Sequence, residues 1–296
     1  MMEPTIESVN LIFQKHLINI EIVSFQILSG TTSGLVLRLK SRDGNRYILK
    51  FDTPNQIELV EELLIIYKDS VLLPNVLLSA QDKSYFAYTY IEGTTHFNRG
   101  PKINWMKLLV RDLLNRYVEQ KGPSTWGRIE WPRETWKEFN EISIKEAQMN
   151  LKNVLSLEDY NYVKLLAEKL FNDESKQGKK YLLHGDTGVH NFVYNNSTLI
   201  GVIDPSPMVG PIIYDFLYAF CSSPDDINTT TLFAAADLLE QGHVERTRMV
   251  EETLIHLYCR VGLSVLHHPH DLPDYLQAWG QWKQLCKNIE EGIVII

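Results

Sequence analysis

The dominant apolar period of this chain shifts from strand-like to helical between residues 91 and 104, and that shift points to a fold with two dissimilar halves. Up to residue 91 the dominant signal alternates every second position. The runs Glu21–Leu28, Gly34–Lys40 and Arg46–Phe51 are rich in β-branched residues and separated by glycine-bearing turns, and Tyr85–Ile91 repeats the pattern. One helical stripe, Ile57, Val60, Leu64 and Tyr67 within Gln56–Tyr67, lies among them, and another, Ile6, Val9, Phe13 and Leu17, precedes them. From Asn104 onward the period is helical over Trp105–Glu119, Arg133–Val154 and Leu157–Phe171, the last opened by the capping pair Ser156 and Asp159. A β interlude at Tyr181–Val193 and Leu199–Ile203 precedes further helices at roughly 213–222, 229–241, 245–267 and 273–290. These signals predict an α+β chain: a small antiparallel sheet with one key helix over 1–93, and a larger, mainly helical part over 94–296. The junction falls in Gly93–Pro101, where two glycines, a proline and polar residues cluster.

With 44% apolar side chains in 296 residues, the chain can bury one large core or two modest ones. A net charge of -8 argues against nucleic acid, which is held mainly by clustered Lys and Arg, and suits a cationic or neutral small partner. Cys221, Cys259 and Cys286 are too few and too scattered for a disulfide framework or a zinc ligand set, so a reducing, cytoplasmic setting is expected. The N-terminus lacks a secretion signal, and Pro74 and Asn75 interrupt the most apolar stretch well short of the ~20 residues a bilayer span needs. No feature specifies an oligomeric state.

The chemistry is concentrated in His184-Gly185-Asp186-Thr187-Gly188-Val189-His190-Asn191, followed thirteen positions after Asn191 by Asp204. The intervening Phe192–Ile203 reads as a hairpin turning at Asn195-Asn196. Phosphoryl transfer asks a protein mainly for positioning and charge compensation, so it needs hard oxygen ligands for magnesium and a base beside the attacking hydroxyl. Asn191 and Asp204 can be the ligands and Asp186 the base. His184 is assigned to packing and loop shape, and His190 to an exposed loop position.

This arrangement, H-x-D-x-x-x-x-N, a strand, then Asp, resembles the catalytic and metal-binding loops of the aminoglycoside phosphotransferase family of protein-kinase-like small-molecule kinases. The resemblance covers about Ile22–Cys221 and implies a bilobal kinase fold, with ATP (or GTP) and Mg2+ as cofactors. It implies that Lys50, set in the apolar strand Tyr47–Phe51, pairs with the nucleotide phosphates, and that Glu61 of the following helix holds it, with Glu58 and Glu62 as alternatives. Ser29, Thr31, Thr32 and Ser33, in a turn of small residues, would cover the phosphates. The backbone at Tyr90 and Ile91 would pair with the base, and Asp215 would brace the catalytic loop.

The acceptor is less constrained. Glu138, Glu141, Asp225 and Asp226 could form an acidic wall suited to an aminoglycoside, choline or another amine. An antibiotic or metabolite hydroxyl kinase is the leading expectation, with an aminoglycoside as the first single acceptor class, and a ketosamine, choline or homoserine kinase is the second. A nucleotide-binding pseudokinase is the reading from a different class.

Overall fold

The computed structural model describes residues 4–28, 34–95, 97–122 and 125–296. In the first part, helix α1 (Ile6–Lys15) leads into strands β1 (Ile22–Leu28), β2 (Leu35–Ser41) and β3 (Arg46–Phe51), helix α2 (Pro54–Ile66), and strands β4 (Val76–Ser79) and β5 (Tyr85–Thr89). The strands form an antiparallel sheet in the order β1-β2-β3-β5-β4. Inward positions Leu37, Leu39, Tyr47, Leu49 and Ala87 pack with Val9 and Phe13 of α1 into a small core. Asn10 ties α1 to the sheet edge by donating to the Ile22 carbonyl at 2.9 Å and accepting from its amide at 2.8 Å.

Two predicted boundaries shift for local reasons. Helix α1 stops at Lys15 because Leu17 adopts a left-handed φ of +57° and the Ile18 amide closes back on the Phe13 carbonyl at 3.0 Å. Leu17, expected on the buried stripe, is 94% exposed. Helix α2 begins before the expected Gln56, with Thr53 as its cap and Pro54 in the first turn, where a missing amide costs nothing.

The second part runs through α3 (Lys102–Asp112), β6 (Gly127–Arg128), α4 (Trp136–Leu151), α5 (Leu157–Phe171), β7 (Tyr181–Leu183), β8 (Phe192–Asn195), β9 (Thr198–Val202), β10 (Met208–Gly210), α6 (Ile212–Cys221), α7 (Thr229–Ala236), α8 (Arg246–His267) and α9 (Leu272–Glu290). Strands β6, β10 and β7 form a small sheet, and β8 and β9 form a hairpin. The larger core is continuous with the apolar face of α2, so Ile57, Leu63, Leu64 and Tyr67 join the two parts. Tyr67 completes this joint: its hydroxyl donates to the Leu182 carbonyl and accepts from the Val118 amide.

After β5 the chain passes directly against β8. Thr94 and Tyr194 exchange both backbone hydrogen bonds at 2.9 Å. Gly93 permits the approach, since a Cβ there would lie 2.5 Å from the Tyr194 carbonyl oxygen. Cys221, Cys259 and Cys286 are free thiols. Among the described residues no helix is long and apolar enough to cross a membrane.

Candidate active site

The catalytic loop leaves β7 at His184 and is fixed from three sides. His184 is fully buried, and its Nδ1 accepts from the Asp186 amide at 3.3 Å. Burial pushes the imidazole down to about 4, so the ring is neutral and serves as a shaped acceptor. Gly185 adopts φ +79°, and a Cβ there would come within 2.0 Å of the Ser206 carbonyl oxygen and 2.7 Å of Arg128 Nη1. The Gly185 amide donates to both carboxylate oxygens of Asp215 at 3.1 Å, and Thr187 Oγ1 donates to the Asp215 carbonyl at 2.7 Å. The brace expected of Asp215 is therefore present, completed by the Tyr117 hydroxyl donating to its Oδ2. Burial pushes the Asp215 carboxyl up to about 6, against the pull of those two donors.

Asp186 stands at the centre. Asn191 Nδ2 donates to its Oδ2 at 2.9 Å and to its backbone carbonyl at 3.0 Å. His190 Nε2 lies 3.3 Å from the same Oδ2. Burial would raise the Asp186 carboxyl, but hydrogen bonding and charge from His190 and a hydrogen bond from the nearby Tyr218 hydroxyl outweigh it and hold the group below the ordinary carboxylate range. Its other oxygen, Oδ1, is buried and makes no close hydrogen bond. His190, assigned from sequence to an exposed loop, is thus part of the site; its spacing of four from Asp186 was the available signal.

The hairpin delivers Asp204 to the same place. Asn196 and Ser197 both have positive φ, at +46° and +63°, so the two-residue turn sits one position later than Asn195-Asn196 and matches the strand twist. The Ile203 amide donates to the Asn191 carbonyl at 2.9 Å, and Ser206 N donates to the His184 carbonyl at 2.9 Å, which pins both sides of Asp204 to the loop. Asp204 Oδ1 is 3.8 Å from Lys50 Nζ, so β3 of the small sheet meets the hairpin across the cleft. The structure therefore gathers Asp186, Asn191, Asp204 and Lys50.

Glu61 is not the partner of Lys50. Helix α2 presents it to the β4–β5 turn, where it pairs with Lys83 at 2.6 Å and accepts from Ser79 Oγ at 2.8 Å. Glu58 and Glu62 are exposed. Lys50 instead lies 3.6 Å from Asp52, whose side chain is almost fully buried. Two residues apart on an extended segment, Lys50 and Asp52 share a face, a period-two signal that the sequence did carry. At the connector, the Tyr90 amide is committed to the Arg46 carbonyl at 3.2 Å, and the Ile91 side chain packs over Gly201. Ser29, Thr31, Thr32 and Ser33 lie outside the described residues.

The donor set fits a hard divalent cation. Asn191 spends its amide nitrogen on Asp186 and keeps its oxygen, while Asp204 offers an exposed carboxylate. Among the described residues no group of three or more His, Cys, Asp or Glu forms a self-contained metal cage.

Beside Asp186 opens a cavity of about 540 Å³ between β6, α4, α6 and α8. Tyr218 links the two, lining the cavity and bearing on the Asp186 carboxylate. The expected acidic wall is absent from it. Glu138 accepts from the Glu134 amide, Glu141 pairs with Lys137, Asp225 pairs with Arg99, and Asp225 and Asp226 border a separate depression.

Known proteins place this geometry. The sequence model of the APH phosphotransferase enzyme family matches residues 24–249. No curated protein matches the chain. Among solved structures it is similar to the GDP and kanamycin complex of APH(2")-IIia, with TM-score 0.57 and 13% identity over 95% of this chain and 99% of that one. It is also similar to the macrolide 2'-phosphotransferase MphH from Brachybacterium faecium, with TM-score 0.59 and 12% identity over 92% and 96% of the two chains. The streptomycin-ATP-APH(2")-IIa ternary complex gives TM-score 0.56 and 16% identity over 92% and 93%. At these identities the likeness establishes the protein-kinase-like fold, while the family match covers most of the sequence and all of the loop and hairpin just described. The chain belongs to the APH phosphotransferase enzyme family.

Proposed function

We propose that this protein transfers the γ-phosphoryl group of ATP (or GTP) to a hydroxyl of a small molecule held in the 540 Å³ cavity. The observation that carries this reading is the position of Asp186. Its carboxylate is held below the ordinary range, its Oδ1 is left without a close partner, Tyr218 joins it to the cavity, and the loop that carries it is bonded to both sides of Asp204. A bound Mg2+, held by the Asn191 oxygen and the Asp204 carboxylate, would neutralise charge on the phosphates.

The acceptor hydroxyl donates a hydrogen bond to Asp186 and is thereby aimed at the γ-phosphorus. Transfer would form the bond from the acceptor oxygen to the γ-phosphorus as the bond to the β,γ-bridging oxygen breaks, releasing ADP (or GDP), with the hydroxyl proton passing to Asp186 and on to solvent. Because the carboxyl stays below its ordinary range, Asp186 acts more by orienting the hydroxyl than by removing its proton early. Lys50 exchanges Asp52 and Asp204 for phosphate oxygens. The Tyr90 carbonyl and the Ile91 amide remain for the base edge, since the Tyr90 amide is already used.

Asp186→Asn keeps the shape of the loop and removes the acceptor charge, so acceptor-dependent ADP release should fall by about 10²- to 10⁴-fold while nucleotide affinity, read by calorimetry, changes little. Turnover equal to that of the parent protein would sink the assignment.

A further inference from the structure

The cavity wall carries charge opposite to that of the protein as a whole. In a chain of net charge -8, three guanidinium groups, Arg128, Arg133 and Arg260, line it against a single carboxylate, Glu146, which is exposed on α4. Among the described residues none of the three arginines has a carboxylate within ion-pair distance. Arg128 is partly committed: its Nη1 donates to the Ser206 carbonyl at 2.7 Å, and its charge helps to offset the burial of Asp215. Arg260 is oriented by neutral groups, the Ser222 carbonyl at 2.8 Å and the Tyr275 hydroxyl at 3.0 Å, which fix its direction without matching its charge. Arg133 lies half-buried beside them.

Between the arginines the wall is aromatic. Phe139 meets Tyr214 edge-on at 5.5 Å, and Tyr214 leans on Tyr218 at 5.9 Å, giving a run of aromatic side chains that ends next to Asp186. Cationic groups without ion-pair partners on one side of a cavity create a field that favours an anion and opposes a cation, and a guanidinium fork fits a carboxylate in particular.

We infer that the acceptor is a small hydroxy acid with an apolar or aromatic body, its carboxylate bound by Arg133 and Arg260 and its hydroxyl placed beside Asp186. This rests on the kinase reading above and names the substrate class for that same site. The charge on this wall disfavours polycationic acceptors such as aminoglycosides.

The test uses the full chain and a matched pair of probes that share a phenyl ring and a hydroxyl: 3-phenyllactate, which carries a carboxylate, and 2-amino-3-phenylpropan-1-ol, which carries an ammonium, with kanamycin as a polycation. Binding of each is measured by calorimetry in the presence of Mg2+ and a non-hydrolysable ATP analogue, whose own binding is measured first. The expected result is that 3-phenyllactate binds and both cations bind more weakly or not at all. Arg133→Gln should weaken the anion by about 10- to 100-fold, the loss expected for one charge-assisted hydrogen bond, and Arg133→Lys should restore part of it. Binding of either cation as tight as that of 3-phenyllactate overturns the inference. So does no binding of 3-phenyllactate up to about 10 mM, or an affinity unmoved by Arg133→Gln. If Arg133→Gln fails to fold, the ranking of the probes on the parent protein decides alone. Failure of the nucleotide analogue to bind would instead overturn the kinase reading itself, so the two failures are distinguishable.

Discussion

Asp204 holds a backbone φ of +58°, a region that an L-residue enters at a cost of roughly 1–2 kcal/mol and that aspartate tolerates better than most. The hydrogen bonds of Ile203 and Ser206 to the catalytic loop impose that conformation and aim the carboxylate at Lys50. Asp204→Gly should therefore be more stable than Asp204→Ala by about 1 kcal/mol in urea melts, although both lose the metal-dependent part of nucleotide binding. Equal stability of the two variants would show that the site stores no strain. At this scale the convergence of Asp186, Asn191 and Asp204 was legible because a tight loop and a hairpin fix their mutual spacing along the chain, whereas Lys50 was read from its place as a charged residue in an apolar strand. Glu61 was misread because its partner depends on the rotation of α2 against the β4–β5 turn, which spacing does not encode. Thr94, Tyr218 and Arg128 left no comparable trace, since each acts through a contact with a distant residue.

The rigidity of the loop comes from elements that pack against it, and α6 supplies the main support. Asp215 lies in its first turn, and Ser222, just past its end, accepts from the Val189 amide at 3.1 Å. Because burial raises the Asp215 carboxyl to about 6 from an ordinary 3.8, the folded protein binds a proton between those values that the unfolded chain does not. The stability contributed by this group is complete below about pH 4 and is lost as the pH rises through 6. Asp215→Asn removes the titration, so the slope of melting temperature against pH between 4 and 7 should be more positive in the variant than in the parent. Identical slopes would mean that Asp215 does not titrate there. Most elements were readable from periodicity, and their ends were not. Leu17 continued the apolar stripe of α1 although the backbone had already turned, and β4 (Val76–Ser79) had no place among the predicted strands because four residues are too few to show a period.

Taken whole, the molecule is joined by α2, whose apolar face enters the larger core while its flanking strands belong to the smaller one. Tyr67 bonds to both the Val118 amide and the Leu182 carbonyl at this joint. Tyr67→Phe leaves both buried groups without that hydroxyl and should cost about 1–3 kcal/mol in denaturant unfolding. A loss below the error of the melt would show that the two groups re-pair on their own. The two-part plan was visible in the change of period near residue 91, whereas the sign of the cavity was not. Arg128, Arg133 and Arg260 come from widely separated positions and converge only after folding, so the acidic residues that stood out in the linear sequence pointed elsewhere.

The paired backbone bonds between Thr94 and Tyr194 stitch the start of the connector to the hairpin that ends in Asp204. This strip therefore belongs mechanically to the helical half. Asp186, Asn191 and Asp204 are held on one continuous piece of bonded backbone, and Lys50, on β3, is the one member of the four that reaches them from the smaller sheet.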